Sequence, residues 1–377
     1  MRTEGKSAWE STLQNPHHRW AADLDRFRRN FTTIGQKPKF TISSADRFFC
    51  IGSCFARNIE EQLVYRGLDV LSKSIICPKE ESPIRPNGFT NKFTTPSISN
   101  ELEWIASSPP DEILVETEAG WIDSQLAPAQ KAVTRERAVE RRRYLSTEYF
   151  PRLRHADIVV MTLGLNEVWF DARCSRYWNC APSFWQVRRE PGRFFFERTD
   201  YWTNLAQLDH IRALIKELNP SMRIVLTVSP VPLTVTFSGT DAAVANTYSK
   251  AVLRAAAQAF SDAHADSDYF PSYELAMLSR REAAFSQVDF SHVMDTAVES
   301  IVDHFVAAYI GAIPRPHPNF VEALYLDANP DVDWAVRTGR IDSGYRHYVQ
   351  HGEREGRPLR SNVPPSWAQM VGFMPVD

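Results

Sequence analysis

Arg47-Phe48-Phe49-Cys50-Ile51-Gly52-Ser53-Cys54-Phe55-Ala56-Arg57-Asn58 is an apolar run that breaks at Gly52-Ser53 and gives way to helical spacing. It reads as a buried strand that stops at a tight turn. Ile59, Leu63, Val64 and Leu68 follow at helical spacing, with Gly52 and Gly67 as punctuation. Ser53 therefore stands at a helix N-terminus, where free N–H groups and the positive dipole end suit an attacked carbonyl whose oxygen turns negative. Alone, such a serine is an N-cap that stabilises a helix and catalyses nothing. Partners elsewhere in the chain must decide between the two roles.

The surrounding chain of 377 residues is long enough for one large domain with an appendage. Hydrophobic residues make up 43% and charged ones 24%, ordinary for a folded globular protein. A net charge of -3 argues against a dedicated nucleic-acid binder. No stretch has the uninterrupted apolar length that spans a bilayer, and residues 1–29 lack the apolar core of a secretory signal. The five cysteines show no paired metal-ligand spacing, so no metal or other cofactor is expected. A reducing, cytoplasmic location is the simplest expectation.

Taken in order, residues 1–39 are expected to form a helical extension, with Trp9, Leu13, Trp20, Leu24 and Phe27 laid across the later core. After the opening strand and helix, Leu68-Asp69-Val70-Leu71 reads as a second short strand. Residues 77–96, including Asn87-Gly88 and Asn91, carry turn chemistry. Helices are expected from Ile98 and over Lys131–Tyr149. The arginines of the latter, Arg135, Arg137, Arg141, Arg142 and Arg143, read as a solvated face. Ala156–Leu163 and Arg223–Val228 are continuous apolar strands, Thr203–Leu218 and Ala242–Ala263 are helices, and Tyr269–Glu274 is a short strand with its exit loop. Such alternation predicts a mostly parallel sheet between helical layers, an α/β fold. Ligands of such sheets bind beyond the carboxyl ends of the strands. Ser53, Asn166 and Ser229 all follow strand ends.

Asp289-Phe290-Ser291-His292 precedes a further helix, Thr296–Tyr309. An Asp three residues before a His can turn its carboxylate onto Nδ1–H, fixing the tautomer that leaves Nε2 free to take a proton from serine. Cys54 is a competing nucleophile, since a helix start lowers a thiol pKa; it lacks an aligned partner motif and reads as a small apolar residue beneath the turn.

Gly52-Ser53-Cys54-Phe55-Ala56 spells the signature of the GSCFA family, which resembles the SGNH or GDSL-like hydrolases. Thr162–Trp169, Ser229–Pro232, Ser249-Lys250, Tyr269–Glu274 and Asp289–His292 resemble that family in the same order, over residues 40–312. The resemblance implies a three-layer α/β/α catalytic domain with Ser53 as nucleophile, His292 as general base and Asp289 as its orienting acid. It also implies an oxyanion hole from the Ser53 N–H and Asn166, with Gly88 as the second-block glycine and Asn91 as an alternative donor. The implied activity is that of a serine-dependent acyl-ester enzyme. It is an esterase, a deacetylase or an O-acyltransferase acting on an acylated carbohydrate or other small ester. The alternative is a weakly catalytic glycan- or partner-binding protein on the same fold. Residues 313–377 open with a proline-rich linker, Ile313–Pro318, and continue as a small helical module. It resembles modules attached to bacterial glycosyltransferases and is a candidate for docking a partner.

Overall fold

The computed structural model describes residues 2–370, with side chains to residue 368. Met1 and residues 371–377, the end of the expected C-terminal module, lie outside the described residues. Among the described residues nine strands form three sheets: β1 (Phe48–Gly52), β2 (Leu114–Thr117), β3 (Gly120–Asp123), β4 (Ile158–Leu163), β5 (Glu167–Asp171), β6 (Arg176–Trp178), β7 (Phe194–Arg198), β8 (Arg223–Val228) and β9 (Ser267–Tyr269). The labelled helices are α1 (Gly5–Gln14), α2 (Cys54–Val64), α3 (Thr95–Glu103), α4 (Arg135–Tyr144), α5 (Tyr201–Leu218), α6 (Ala242–Ala263) and α7 (Asp295–Tyr309).

The central sheet runs β1-β4-β8-β9, every pair parallel, with Cys50 opposite Val160 and Val160 opposite Val225. Both faces are covered, so β1, β4 and β8 are nearly continuous apolar runs rather than alternating with polar residues, with Thr162, Arg223 and Thr227 as the polar exceptions. Phe49, Ile51, Val159, Met161, Ile224 and Leu226 face one cluster with Leu208, Ile211 and Ile215 of α5 and Leu253 and Phe260 of α6. Their neighbours Phe48, Cys50, Ile158, Val160 and Val225 face the other, with Phe55, Ile59 and Leu63 of α2 and Ile301, Val302 and Phe305 of α7. The result is the expected three-layer α/β/α arrangement.

Three local expectations differ from the structure. The N-terminal segment does not cross the core: α1 buries nothing and Trp9 and Leu13 are exposed. Two large apolar residues one helical turn apart make too narrow a stripe to anchor a helix. Packing begins only at Phe31, Ile34 and Phe40. Leu68–Leu71 is not a strand; it reaches β1 through a single bridge, Val70 to Phe48, at the sheet edge. The arginines of α4 are not a uniformly solvated face. Arg141 and Arg142 are buried, pairing with Glu81, Glu101 and Asp123.

The C-terminal helices Glu322–Ala328, Pro330–Arg337 and Gly344–His347 share an apolar cluster with Tyr65, the residue that closes α2. The Tyr65 hydroxyl accepts the Glu322 N–H at 2.8 Å, and Tyr345 Oη donates to the Tyr65 carbonyl at 2.9 Å. Arg315, within the expected linker, is buried and pairs with Glu299 at 2.9 Å. This stretch is therefore a pinned connection. No helix among the described residues is long and apolar enough to cross a membrane.

Candidate active site

Ser53 follows β1 directly and caps α2, its Oγ accepting the Phe55 N–H at 3.3 Å. The turn depends on Gly52, whose φ of +135° is a conformation that L side chains rarely adopt. A Cβ there would lie 2.2 Å from the Thr162 carbonyl oxygen. This approach brings Ser53 against the end of β4. Its N–H donates to the Thr162 carbonyl at 3.2 Å, and its Oγ lies 3.1 Å from Thr162 Oγ1. The helix cap and the nucleophile expected from the sequence thus fall on one buried side chain.

Asp289 and His292 are brought together as their spacing predicts. Asp289 Oδ2 is hydrogen-bonded to His292 Nδ1, while Oδ1 accepts the N–H groups of Ser291 at 3.0 Å and His292 at 3.2 Å. Phe290 sits between them with φ +51°, folding the loop back on itself. Partial burial raises the Asp289 pKa, but these donors outweigh it and hold the carboxyl below its ordinary value.

Ser53, Cys54 and His292 line one cavity of about 490 Å³ beyond the carboxyl ends of β1, β4 and β8, together with Gly164, Ser229 and Val231. Its remaining walls come largely from the small β6-β5-β7 sheet and the loop after β8. Ser53 Oγ bonds Thr162 and Phe55 in this arrangement rather than the imidazole. A second cavity of about 330 Å³ shares Cys54 and His292 and is lined by Asn58, Arg85, Gly88 and Asn91. Asn91 is buried, its Oδ1 has no partner, and among the described residues its Nδ2 has no acceptor.

The expected oxyanion donors are placed differently from one another. Gly88 and Asn91 reach the second cavity. Asn166 does not line either cavity: its Nδ2 donates to the Thr199 carbonyl at 2.9 Å, and its own carbonyl accepts from Thr199, tying the β4–β5 turn to the end of β7. The Ser53 N–H is likewise engaged, by Thr162. Cys54 lines both cavities, yet burial raises its thiol pKa against the opposing pull of Arg85 and Lys250, so the thiol form prevails.

Two residues had no role assigned from sequence. Thr162 holds the Ser53 hydroxyl. Lys250, on α6, is fully buried and donates from Nζ to the carbonyls of Gly164 and Val231, each at 2.8 Å, joining the ends of β4 and β8 beneath the cavity. The signal for Lys250 was its place on the buried stripe of α6 with Ser249, Leu253, Ala256 and Phe260. A charged residue on an apolar stripe calls for a specific partner.

No curated protein matches the sequence. The model of the GSCFA family matches residues 47–305, which take in Ser53, Thr162, Lys250, Asp289 and His292 as well as the whole central sheet, and the chain belongs to that family.

Proposed function

We propose that the protein is a serine-dependent acyl-ester enzyme. Ser53 attacks the acyl carbonyl, His292 takes the Ser53 proton and returns it to the leaving alcohol, and Asp289 fixes the imidazole tautomer. Water then releases the acid from Ser53 if the enzyme is a hydrolase; a sugar hydroxyl accepts the acyl group if it is an O-acyltransferase. The observation that carries this reading is one cavity shared by a helix-capping serine and an imidazole held by a carboxylate. The likeness to SGNH-type hydrolases and the α/β/α layering are in keeping with it. The Asn91 amide, which lines the second cavity with Cys54 and His292, takes the oxyanion role in this reading, since Asn166 is engaged elsewhere. The Ser53–Thr162 contact is a resting rotamer, as catalytic hydrogen bonds often form only with substrate present.

Ser53→Ala is expected to abolish p-nitrophenyl ester turnover and fluorophosphonate labelling, whereas Cys54→Ala keeps both. The reverse pattern would sink the serine assignment. That same Thr162 contact favours a second reading, a glycan- or partner-binding protein with little chemistry. No labelling of the folded protein together with tight glycan binding would select it.

A further inference from the structure

The larger cavity has a chemical character that the triad does not explain. Phe93, Trp169, Trp178, Leu233, Val235 and Phe237 line it, with Phe237 edge-on to Trp169 at 5.0 Å between ring centroids. Val235 and Phe237 are exposed although large and apolar. Three polar side chains on the same walls are already engaged by the protein. Asn179 accepts the Phe93 N–H at 2.9 Å and donates to the Asn91 carbonyl at 2.8 Å. Glu167 accepts from the Thr236 hydroxyl at 2.5 Å and from the Phe237 N–H at 3.1 Å. Ser229 Oγ accepts the Val231 N–H at 3.3 Å. A sugar entering here would lose water from its hydroxyls and find few partners in return. A hydrocarbon would lose nothing and cover the exposed rim.

We propose that this cavity is an acyl pocket and that the enzyme takes esters of uncharged hydrocarbon acyl groups longer than acetyl; the inference rests on the serine-ester reading above. The Glu167 carboxylate on the wall disfavours a negatively charged acyl chain. The alcohol then leaves through the second, more polar cavity on the other side of His292, where Asn58, Arg85 and Asn91 lie. In the acylation step the Ser53 Oγ–carbonyl bond forms, the carbonyl–alkoxy bond breaks, and the Ser53 proton reaches the departing alcohol through His292. Water, or an acceptor hydroxyl in a transferase, then splits the acyl–Ser53 bond, giving the free acid or the new ester and returning the proton to the Ser53 hydroxyl.

The test uses the full chain and alkyl fluorophosphonates from ethyl to decyl, with modification of Ser53 followed by intact mass and peptide mapping. The Ser53 Oγ–phosphorus bond forms as fluoride leaves, so no particular alcohol is required. The labelling rate is expected to rise about fourfold for each added methylene until the pocket is full. Val235→Asp, and separately Phe237→Asp, should cut the decyl-to-ethyl ratio at least tenfold; both residues are exposed, and the ratio is internal to each variant. Equal rates at every chain length, or a ratio that neither variant alters, would overturn the acyl pocket while leaving Ser53 as nucleophile. Absence of Ser53 labelling by every probe would remove the serine-ester reading and the pocket with it.

Discussion

Lys250 Nζ donates at 2.8 Å to the carbonyl oxygen of Gly164, the residue at which β4 opens into the cavity shared by Ser53 and His292. The same nitrogen holds the Val231 carbonyl, and among the described residues no carboxylate pairs with it. Burial lowers its pKa to about 7 from an ordinary 10.5, against the opposing pull of the Cys54 sulfur. A neutral amine has two N–H groups and meets two carbonyls here, so deprotonation removes the buried charge without losing either bond.

The pH consequence has a definite sign. The folded protein holds this proton less tightly than the unfolded chain, so between pH 7 and pH 10.5 the unfolded state binds more protons and stability rises with pH. Below pH 7 the contribution is constant at its unfavourable value. The stability of the wild type minus that of Lys250→Met should therefore climb from pH 7 to pH 9 in urea unfolding. A difference that stays flat over this range would show that Lys250 remains charged.

Gly52→Ala should be severe for reasons local to the turn. The backbone is at φ +135° and the added methyl would meet the Thr162 carbonyl at 2.2 Å. Backbone strain and overpacking together predict a loss of at least about 2 kcal/mol, read as a lower urea midpoint. Ser53 would shift with its neighbour, so fluorophosphonate labelling should slow even under conditions where the variant is fully folded.

Much of this arrangement was legible in the sequence because it depends on short-range pattern. β1, β4 and β8 are continuous apolar runs, and α6 spans the predicted Ala242–Ala263. Asp289 and His292 meet because three residues suffice to close their loop. What escaped depends on partners far along the chain. The arginine run of α4 looks solvent-facing until Glu81, Glu101 and Asp123 are folded against it. Asn166 follows a strand end, as a cavity residue does, but Thr199 captures its amide. The β6-β5-β7 sheet was missed, although Phe194-Phe195-Phe196 carries an aromatic strand signal, and it supplies Trp169 and Trp178 to the cavity.

A buried ion cluster anchors the loop that carries Asn91. Glu101 bonds Lys92 and also Arg142 at 2.7 Å, while Arg142 reaches Asp123 at 2.6 Å. The Lys92 N–H in turn donates to the Gly52 carbonyl at 2.6 Å. Glu101→Gln would leave two buried cations short of one negative charge, with an expected cost of about 3–5 kcal/mol. Chemical denaturation measures that loss. Replacing Glu140, an exposed acid that pairs with Arg137 on the same helix as Arg142, should change stability by less than about 1 kcal/mol.

Asp289→Asn separates orientation from folding. Asp289 Oδ1 accepts two backbone N–H groups, and an asparagine can keep its carbonyl oxygen in that position. Its NH2 then faces His292 Nδ1, which must act as acceptor, so the imidazole proton moves to Nε2. An Nε2 that already carries a proton cannot take one from Ser53. Turnover and the rate of Ser53 labelling should fall by about 10³–10⁴-fold, while the urea midpoint changes little because the loop retains its hydrogen bonds. Labelling at the wild-type rate would mean that Asp289 does not set the tautomer of a catalytic histidine, and Ser53 would need another base.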